Sequence, residues 1–269
     1  MEVRSIPSQA VVRVRPVQVQ IRLLFEPIRE LKDFDDYTFT HALNVCVLSS
    51  ALARALRVSD EMVNAIAMAA LCHDLGKKEV PKDVLNYKGP LGPNERLLIE
   101  KHPSFGARLL LDIPGVESAN PLLPVVAYQH HMGFDQSGYP KIQGHVPQYM
   151  LHFTSLLVAV VDVYDALRTV RPYRPALTVA KASTILIRDA LSGKLHKEYV
   201  SSFLLLLNVL AAGRRVVLSD GSRGMIVETH TGYPLCPMVG DESGRVRDLS
   251  DPSSPTILEV EEDTTSDHE

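Results

Sequence analysis

Two adjacent histidines, His130 and His131, lie shortly before a Gly138-Tyr139-Pro140 turn, and a His73-Asp74 pair lies upstream. Imidazoles and carboxylates together suit iron, manganese or zinc. One carboxylate can give an oxygen atom to each of two ions, so such a set has room for two cations. A hydroxide shared by two ions would attack phosphorus in line, and these residues therefore predict hydrolysis of a phosphate ester.

Further residues of ligand type lie on predicted helices or at their ends, beside apolar neighbours. Seven of them are candidate metal ligands: His41, His73, Asp74, His102, His130, His131 and Asp162. Each one alone is more often an ordinary helix residue, and the prediction depends on their joint occurrence. Asp74 is the best bridging candidate. Asp162 lies in an apolar run at 159–163, where a carboxylate is costly unless it is paired or bound to a cation.

The remaining histidines have no such context and are interpreted as structural or surface residues: His145, His152, His196, His230 and His268. The three cysteines, Cys46, Cys72 and Cys236, form no CxxC pair. Buried thiols in a reducing cytosol are therefore the favoured interpretation over a disulfide.

Composition limits the function classes. The 269 residues suffice for one large domain, or one with a small addition, and a 45% hydrophobic content permits a substantial core. The net charge of −4 argues against a binder of DNA or RNA duplexes, which depends on basic surfaces. No stretch reaches the apolar length of a membrane span, and no signal peptide is recognisable. We expect a soluble cytoplasmic protein.

Patterning divides the chain into four parts. Alternating residues at 11–21 predict an extended N-terminal segment over 1–30, interrupted by Pro16. Helical spacing of apolar residues predicts a mainly α domain over 31–212. A hairpin with its turn at Asp220-Gly221, followed by strand-like pieces at 235–239, 244–248 and 256–260, predicts a small β appendix over 213–260. Residues 261–269 predict an acidic disordered tail.

Five motifs, in this order, resemble the HD-GYP domain, a subgroup of the HD superfamily of metal-dependent phosphohydrolases. They are His73-Asp74-Leu75-Gly76-Lys77, His102-Pro103, His130-His131 leading to residues 135–140, Asp162-Val163-Tyr164-Asp165-Ala166-Leu167, and Arg171-Pro172-Tyr173-Arg174. The resemblance covers about residues 36–210. It implies an HD-type helical bundle and a phosphodiesterase that converts cyclic di-GMP to linear pGpG, with GMP as a further product to be tested.

The resemblance also implies two groups of metal ligands that share one residue. One ion would be held by His41, His73, Asp74 and Asp162, and the other by Asp74, His102, His130 and His131. The implied cofactors are two divalent ions, iron or manganese. Some members bind a third ion through a Glu four residues before the first histidine. Tyr37 stands at that position here, so the resemblance implies a dinuclear site.

Other residues would contact the substrate. Lys77 follows Asp74 by one short turn, and the resemblance implies that it approaches a substrate phosphate, so both are predicted catalytic residues. The planar guanidinium groups of Arg171 and Arg174 suit a phosphate or a guanine edge. Tyr139 would shape the pocket rim and offer a hydrogen bond or a stacking surface.

Asp165 lies one helical turn after Asp162, on the same face. It is predicted to orient or deprotonate the attacking water. The alternative is an ion-pair partner for Arg168 or Arg171, and the sequence leaves both open.

The chain departs from the family pattern at the rim. Met132-Gly133 replaces Glu-Arg, Gln136 replaces a glycine, and 195–197 replace Phe-Asp-Pro. These changes spare the metal ligands and concern substrate preference and rate. A sensor module that binds cyclic di-GMP with weak turnover, and a hydrolase of another nucleotide, are therefore alternative functions. The expected partner is a cyclic dinucleotide, and a homodimer or a signalling protein partner is left open.

Overall fold

The structure is a computed structural model that describes residues 15–142, 150–170, 175–230 and 233–262. Its helices are α1 Val17–Phe34, α2 Asp36–Ala55, α3 Asp60–Cys72, α4 Lys82–Leu85, α5 Pro93–Ile99, α6 His102–Asp112, α7 Val116–Ala119, α8 Leu122–Gln129, α9 Phe153–Arg168, α10 Val179–Leu191 and α11 Lys197–Leu206, with a 3₁₀ turn at Leu75–Glu79. Its strands are β1 Arg215–Leu218, β2 Arg223–Glu228, β3 Met238–Gly240, β4 Val246–Asp248 and β5 Ile257–Val260. The predicted fold, mainly helical with a small C-terminal sheet, is confirmed.

The expectation of an extended N-terminal segment is wrong from residue 17 onward, because residues 17–34 form helix α1. The helix buries Gln20, Leu24 and Leu31, which share one helical face, whereas the alternation of apolar residues suggested a strand. Leu24 and Leu31 belong to the same hydrophobic core as the later helices, so α1 is part of the helical body. The first fourteen residues lie outside the described part of the chain.

Helices α2, α3, α8 and α9 pack against one another in the core, and most of the ligand-type residues lie in these helices or directly after them. Helix α2 begins where the Asp35 carboxylate accepts a hydrogen bond from the Thr38 backbone N–H at 2.8 Å, which is a typical N-cap. Helix α9 is apolar on nearly all sides, and Val158, Val160 and Val161 are completely buried. Burial of such side chains stabilises a fold by about 1.5–3 kcal/mol each. None of the described helices combines the length and the apolar character needed to cross a bilayer.

Two glycines allow the 3₁₀ turn to lie directly on the start of α6. A Cβ atom on Gly76 would lie 2.0 Å from the His102 carbonyl oxygen and 2.4 Å from the Gly106 nitrogen. Real Cβ atoms do not approach backbone atoms so closely, so this contact requires glycine. The close approach brings Asp74, at the start of the turn, next to His102.

The C-terminal strands form one antiparallel sheet in the order β4-β3-β2-β1-β5. The predicted hairpin is confirmed, with Arg215 opposite Met225 and Gly221 in the turn at a φ of 81°. Buried residues of β1 and β5 join the helical core, and the Val260 N–H donates to Thr184 Oγ1 of α10 at 3.0 Å. The sheet is therefore attached to the helices by packing and by a hydrogen bond. Of the predicted tail, residues 263–269 lie outside the described part.

Candidate metal centre

The seven predicted ligands converge in one cluster, although they come from separate elements. Their nitrogen and oxygen atoms form overlapping groups in which all ligand atoms lie within 4.8 Å of one another: Asp74, His102, His130 and His131; His41, His73 and Asp74; His73, His130 and Asp162. All are buried except His131, whose side chain is 26% exposed. The opening of the cluster is therefore on the His131 side.

Asp74 lies between two sets of imidazoles. Its Oδ1 is 3.2 Å from His102 Nε2 and 3.7 Å from His130 Nε2. Its Oδ2 is 3.2 Å from His73 Nε2 and 3.8 Å from His41 Nε2. The two oxygen atoms of one carboxylate thus face different pairs of histidines, which is the arrangement that a bridging ligand needs.

Asp162 faces the cluster from helix α9. Its Oδ1 lies 2.9 Å from His41 Nε2 and 3.9 Å from His73 Nε2, and its Oδ2 lies 3.7 Å from His131 Nδ1. Burial raises the pKa of Asp162, but the hydrogen bond from His41 and the electrostatic effect of the surrounding histidines together hold the pKa below its usual range. The carboxylate is therefore available in its charged form.

Three histidine rings are oriented by the backbone. In each, Nδ1 contacts the carbonyl oxygen three residues earlier: His73 to Ala70 at 2.6 Å, His102 to Ile99 at 2.7 Å, and His130 to Ala127 at 2.9 Å. A carbonyl only accepts hydrogen bonds, so Nδ1 carries the proton and the Nε2 lone pair faces the cluster. These helix ends preset the tautomer that a metal ligand requires.

The electrostatics of the cluster fit a cation. Burial lowers the pKa of His131 to about 3 and also lowers that of His130, so both rings are neutral near neutrality. Burial raises the pKa of Asp74, but Lys77 and His73 hold it well below its usual range.

Within the described residues, His73 Nε2 and Asp74 Oδ1 are buried without a hydrogen-bond partner. Such atoms cost about 1–3 kcal/mol when unsatisfied, and a bound cation would satisfy both.

Lys77 and Tyr139, the predicted substrate contacts in the described part of the chain, both lie next to the ligand cluster. The Lys77 ammonium contacts Asp74 Oδ2, and its side chain is 15% exposed, so it borders the cluster. The Tyr139 ring centroid lies 4.7 Å from that of His131 and 6.1 Å from that of His102. Burial and the nearby carboxylates, led by that of Asp162, raise the pKa of Tyr139, so its hydroxyl keeps its proton.

The loop carrying Tyr139 is folded back onto the histidine pair. The Tyr139 N–H donates to the His131 carbonyl at 3.2 Å, and Gly138 has a φ of 81°. A Cβ atom on Gly138 would lie 2.1 Å from that same carbonyl oxygen. The glycine of the Gly-Tyr-Pro motif is therefore required for the close approach, and the Tyr139–Pro140 peptide bond is cis.

Phe134, next to the altered rim positions, connects the rim to the loop between α10 and α11. The Phe134 N–H donates to the Lys194 carbonyl at 2.8 Å, and the Phe134 ring lies 4.8 Å from that of His196. Gln136, which replaces a family glycine, adopts a φ of 65°. Such a conformation is uncommon for residues other than glycine, so this substitution adds local strain to the rim.

Asp165 lies elsewhere than predicted. Its Oδ2 is 2.7 Å from His41 Nδ1, the ring nitrogen that faces away from Asp74, so the carboxylate is behind the ligand His41. Of the alternative partners, Arg168 donates to the Leu177 carbonyl, whereas the contacts of the Asp165 carboxylate are with His41 and Thr169. Arg171 and Arg174 lie outside the described residues.

Sequence reasoning missed the residues that position the ligands. Gly76 and Gly106 permit the contact that joins Asp74 to His102, and Thr169 donates to Asp165 at 3.1 Å. A glycine two residues after the His-Asp pair was the available signal for the contact between Asp74 and His102. No local sequence pattern indicates the hydrogen bond between Thr169 and Asp165.

The chain is similar to known proteins. A family model described as HD domain matches residues 27–198. A cyclic di-GMP phosphodiesterase of Pseudomonas aeruginosa is 35% identical over 209 residues, which are 78% of this chain and 49% of that protein. A 3'3'-cGAMP-specific phosphodiesterase of Vibrio cholerae is 31% identical over 163 residues, 60% of this chain and 36% of that protein. An HDG"Y"P protein structure from Bdellovibrio bacteriovorus matches with a TM-score of 0.51 at 22% identity, covering 63% of this chain and 52% of that one.

The chain spans half or less of the length of these two curated relatives. The structural match, at 22% identity, concerns the fold alone. The family model covers more than half of the chain and contains all seven clustered ligands. The chain belongs to the HD domain family.

Proposed function

We propose that this chain is an HD-GYP phosphodiesterase that hydrolyses cyclic di-GMP to linear pGpG with two divalent ions. The observation that carries the proposal is the position of Asp74, whose two oxygen atoms face different pairs of histidines. The matched cyclic di-GMP phosphodiesterase supports the choice of substrate. The mixture of imidazole and carboxylate donors favours iron or manganese.

Each side chain would have a distinct task. The clustered ligands would hold the two ions, which when bound polarise phosphoryl oxygen atoms and lower the pKa of water. Lys77, at the border of the cluster, would donate to a non-bridging phosphate oxygen and offset its charge. Tyr139 would donate a hydrogen bond from its hydroxyl to the same ester or stack on a guanine. Arg171 and Arg174 remain predicted phosphate or guanine contacts.

The direct test begins with metal content. Protein purified without air is analysed for bound elements, then loaded with iron or manganese and incubated with cyclic di-GMP. We expect about two ions per chain and pGpG as the first product by chromatography. His102→Ala should lose turnover, whereas His230→Ala, a surface histidine paired with Asp248, should not. Absence of turnover with both metals would reject the proposal.

A second cyclic dinucleotide is favoured by a specific observation. One matched relative is named as specific for 3'3'-cGAMP, and the rim departs from the family pattern at Met132 and Gln136. The two substrates are separated by comparing kcat/KM for both on one preparation. Tight binding of cyclic di-GMP in calorimetry without turnover would instead identify a sensor module.

A further inference from the structure

His41 is held from both sides by one helix. Its Nε2 lies 2.9 Å from Asp162 Oδ1 and its Nδ1 lies 2.7 Å from Asp165 Oδ2. The two acids are one turn apart on α9, so the imidazole from α2 is clamped between them. His41 and Asp165 are 2% and 5% exposed, and water therefore competes little for this hydrogen bond.

Asp165 is itself fixed. The Thr169 hydroxyl donates to the same Oδ2 at 3.1 Å, and the Thr169 N–H donates to the Asp165 carbonyl at 2.9 Å, where α9 ends. Two donors, His41 and Thr169, thus converge on one carboxylate oxygen. The carboxylate cannot rotate toward the cluster without losing both hydrogen bonds.

This partner differs from those of the other oriented rings. His73, His102 and His130 have backbone carbonyls at Nδ1, which are neutral and which no side-chain replacement removes. At the same ring nitrogen, Nδ1, His41 has the charged carboxylate of Asp165 as its acceptor. A carboxylate holds the tautomer more firmly than a carbonyl and makes the opposite nitrogen a stronger donor to a metal.

We propose that Asp165 is a positioning residue that acts through His41 and makes the two ion-binding groups unequal. The group with His41 and His73 would bind its ion more tightly. The group with His102 and His130 has Asp74 as its nearest carboxylate and would bind its ion more weakly. This inference rests on the proposed function only in requiring that the cluster bind divalent ions.

Manganese alone is the probe, with no nucleotide present. Stoichiometry and affinity are measured by competition with a chelating dye at one fixed alkaline pH. Asp165→Asn should weaken one of two classes of Mn²⁺ by about 10–100-fold and leave the other unchanged. Thr169→Val should give a smaller loss in the same class, and Thr169→Ser, which keeps the hydroxyl, should restore it.

Asp189→Asn is the matched control, because Asp189 is also a buried carboxylate, 8% exposed, but pairs with Lys194 on the surface. It should leave both classes unchanged. Electron paramagnetic resonance should show loss of Mn²⁺–Mn²⁺ coupling in Asp165→Asn at metal concentrations that saturate the wild type. A lower melting temperature without metal, with both classes weakened equally, would indicate a structural role and overturn the inference.

If the Asp165→Asn variant binds every ion with wild-type affinity, the inference is also overturned. The result is independent of substrate. If the wild type binds manganese in two classes but hydrolyses no cyclic dinucleotide, the proposed function fails and the inference stands. If turnover is found but the two classes do not respond to Asp165, only the inference fails.

Discussion

Gly76 lies so close to the first turn of α6 that an added Cβ atom would be 2.0 Å from the His102 carbonyl oxygen. Gly76→Ala should therefore push the His-Asp turn away from His102 and cost about 1–3 kcal/mol of stability. Metal content and the melting temperature should fall together. Gly92→Ala is the control, since its Cβ would meet only the movable end of the Glu95 side chain. Normal metal content in Gly76→Ala would contradict the proposed contact.

The Gly-Tyr-Pro loop should depend on Gly138 for a steric reason in addition to its φ. Gly138→Ala and Gly193→Ala share a similar φ, 81° and 83°, but only the first would clash, with the His131 carbonyl. Both should carry the strain of about 1–2 kcal/mol of a left-handed residue. Only Gly138→Ala should raise KM and lower kcat, because Tyr139 moves with it. Equal kinetics in the two variants would argue against a role of the loop.

Variants of Lys77 and Lys78 distinguish the effect of a positive charge at the site from that of a positive charge elsewhere in the protein. Lys77 contacts Asp74 at the border of the cluster, whereas Lys78 pairs with Glu30 of α1. Lys77→Ala should lower kcat by about a hundredfold, the effect of removing one donor to a developing phosphate charge. Lys78→Ala should leave kcat near the wild-type value. Kinetics at saturating manganese measure both, and an unchanged kcat in Lys77→Ala would remove it from the catalytic set.

Metal uptake should weaken as the pH falls below about 9. Burial lowers the pKa of His41, but hydrogen bonds to Asp162 and Asp165 outweigh burial and raise it to about 9. An ion must displace this proton, so log affinity should fall by about one unit per pH unit below that value. The low pKa values of His130 and His131 add no such dependence at neutral pH. Equilibrium binding of manganese between pH 6.5 and 9 measures the slope.

The same raised pKa has a consequence for stability after chelator treatment. Protonated His41 contributes stability that is complete below its unfolded value of 6.5 and is lost as the pH rises through about 9. The melting temperature of chelator-treated protein should therefore decline over that range. A flat or rising melting temperature would contradict the ion pairs of His41.

Helix α1 should behave as part of the core. Leu24 is completely buried, and Leu24→Ala should cost about 2–5 kcal/mol. Ile21, on the same helix, is 48% exposed, and Ile21→Ala should change stability by less than about 0.5 kcal/mol. Urea unfolding of both variants provides the comparison. Equal midpoints would contradict the packing of α1.

The sequence alone predicted the seven residues that cluster as candidate ligands and most of the architecture. Ligand types at helix ends beside apolar residues indicated a metal cluster, because a buried carboxylate such as Asp162 needs a cation or a partner. The hairpin at Asp220-Gly221 followed from its turn chemistry. The N-terminal prediction failed, since a short alternating apolar run fits either a strand or one face of a helix until its packing partner is known.

Only the tertiary structure decided which atom faces which. The division of the Asp74 oxygen atoms between two pairs of histidines depends on where α2, α3, α6 and α8 meet. The position of Asp165 behind His41 depends on the packing of α2 against α9. The spacing of residues along α9 did not predict this position. Spacing determines the face of a helix on which a residue lies. The neighbour across that face is determined by residues far away in the chain.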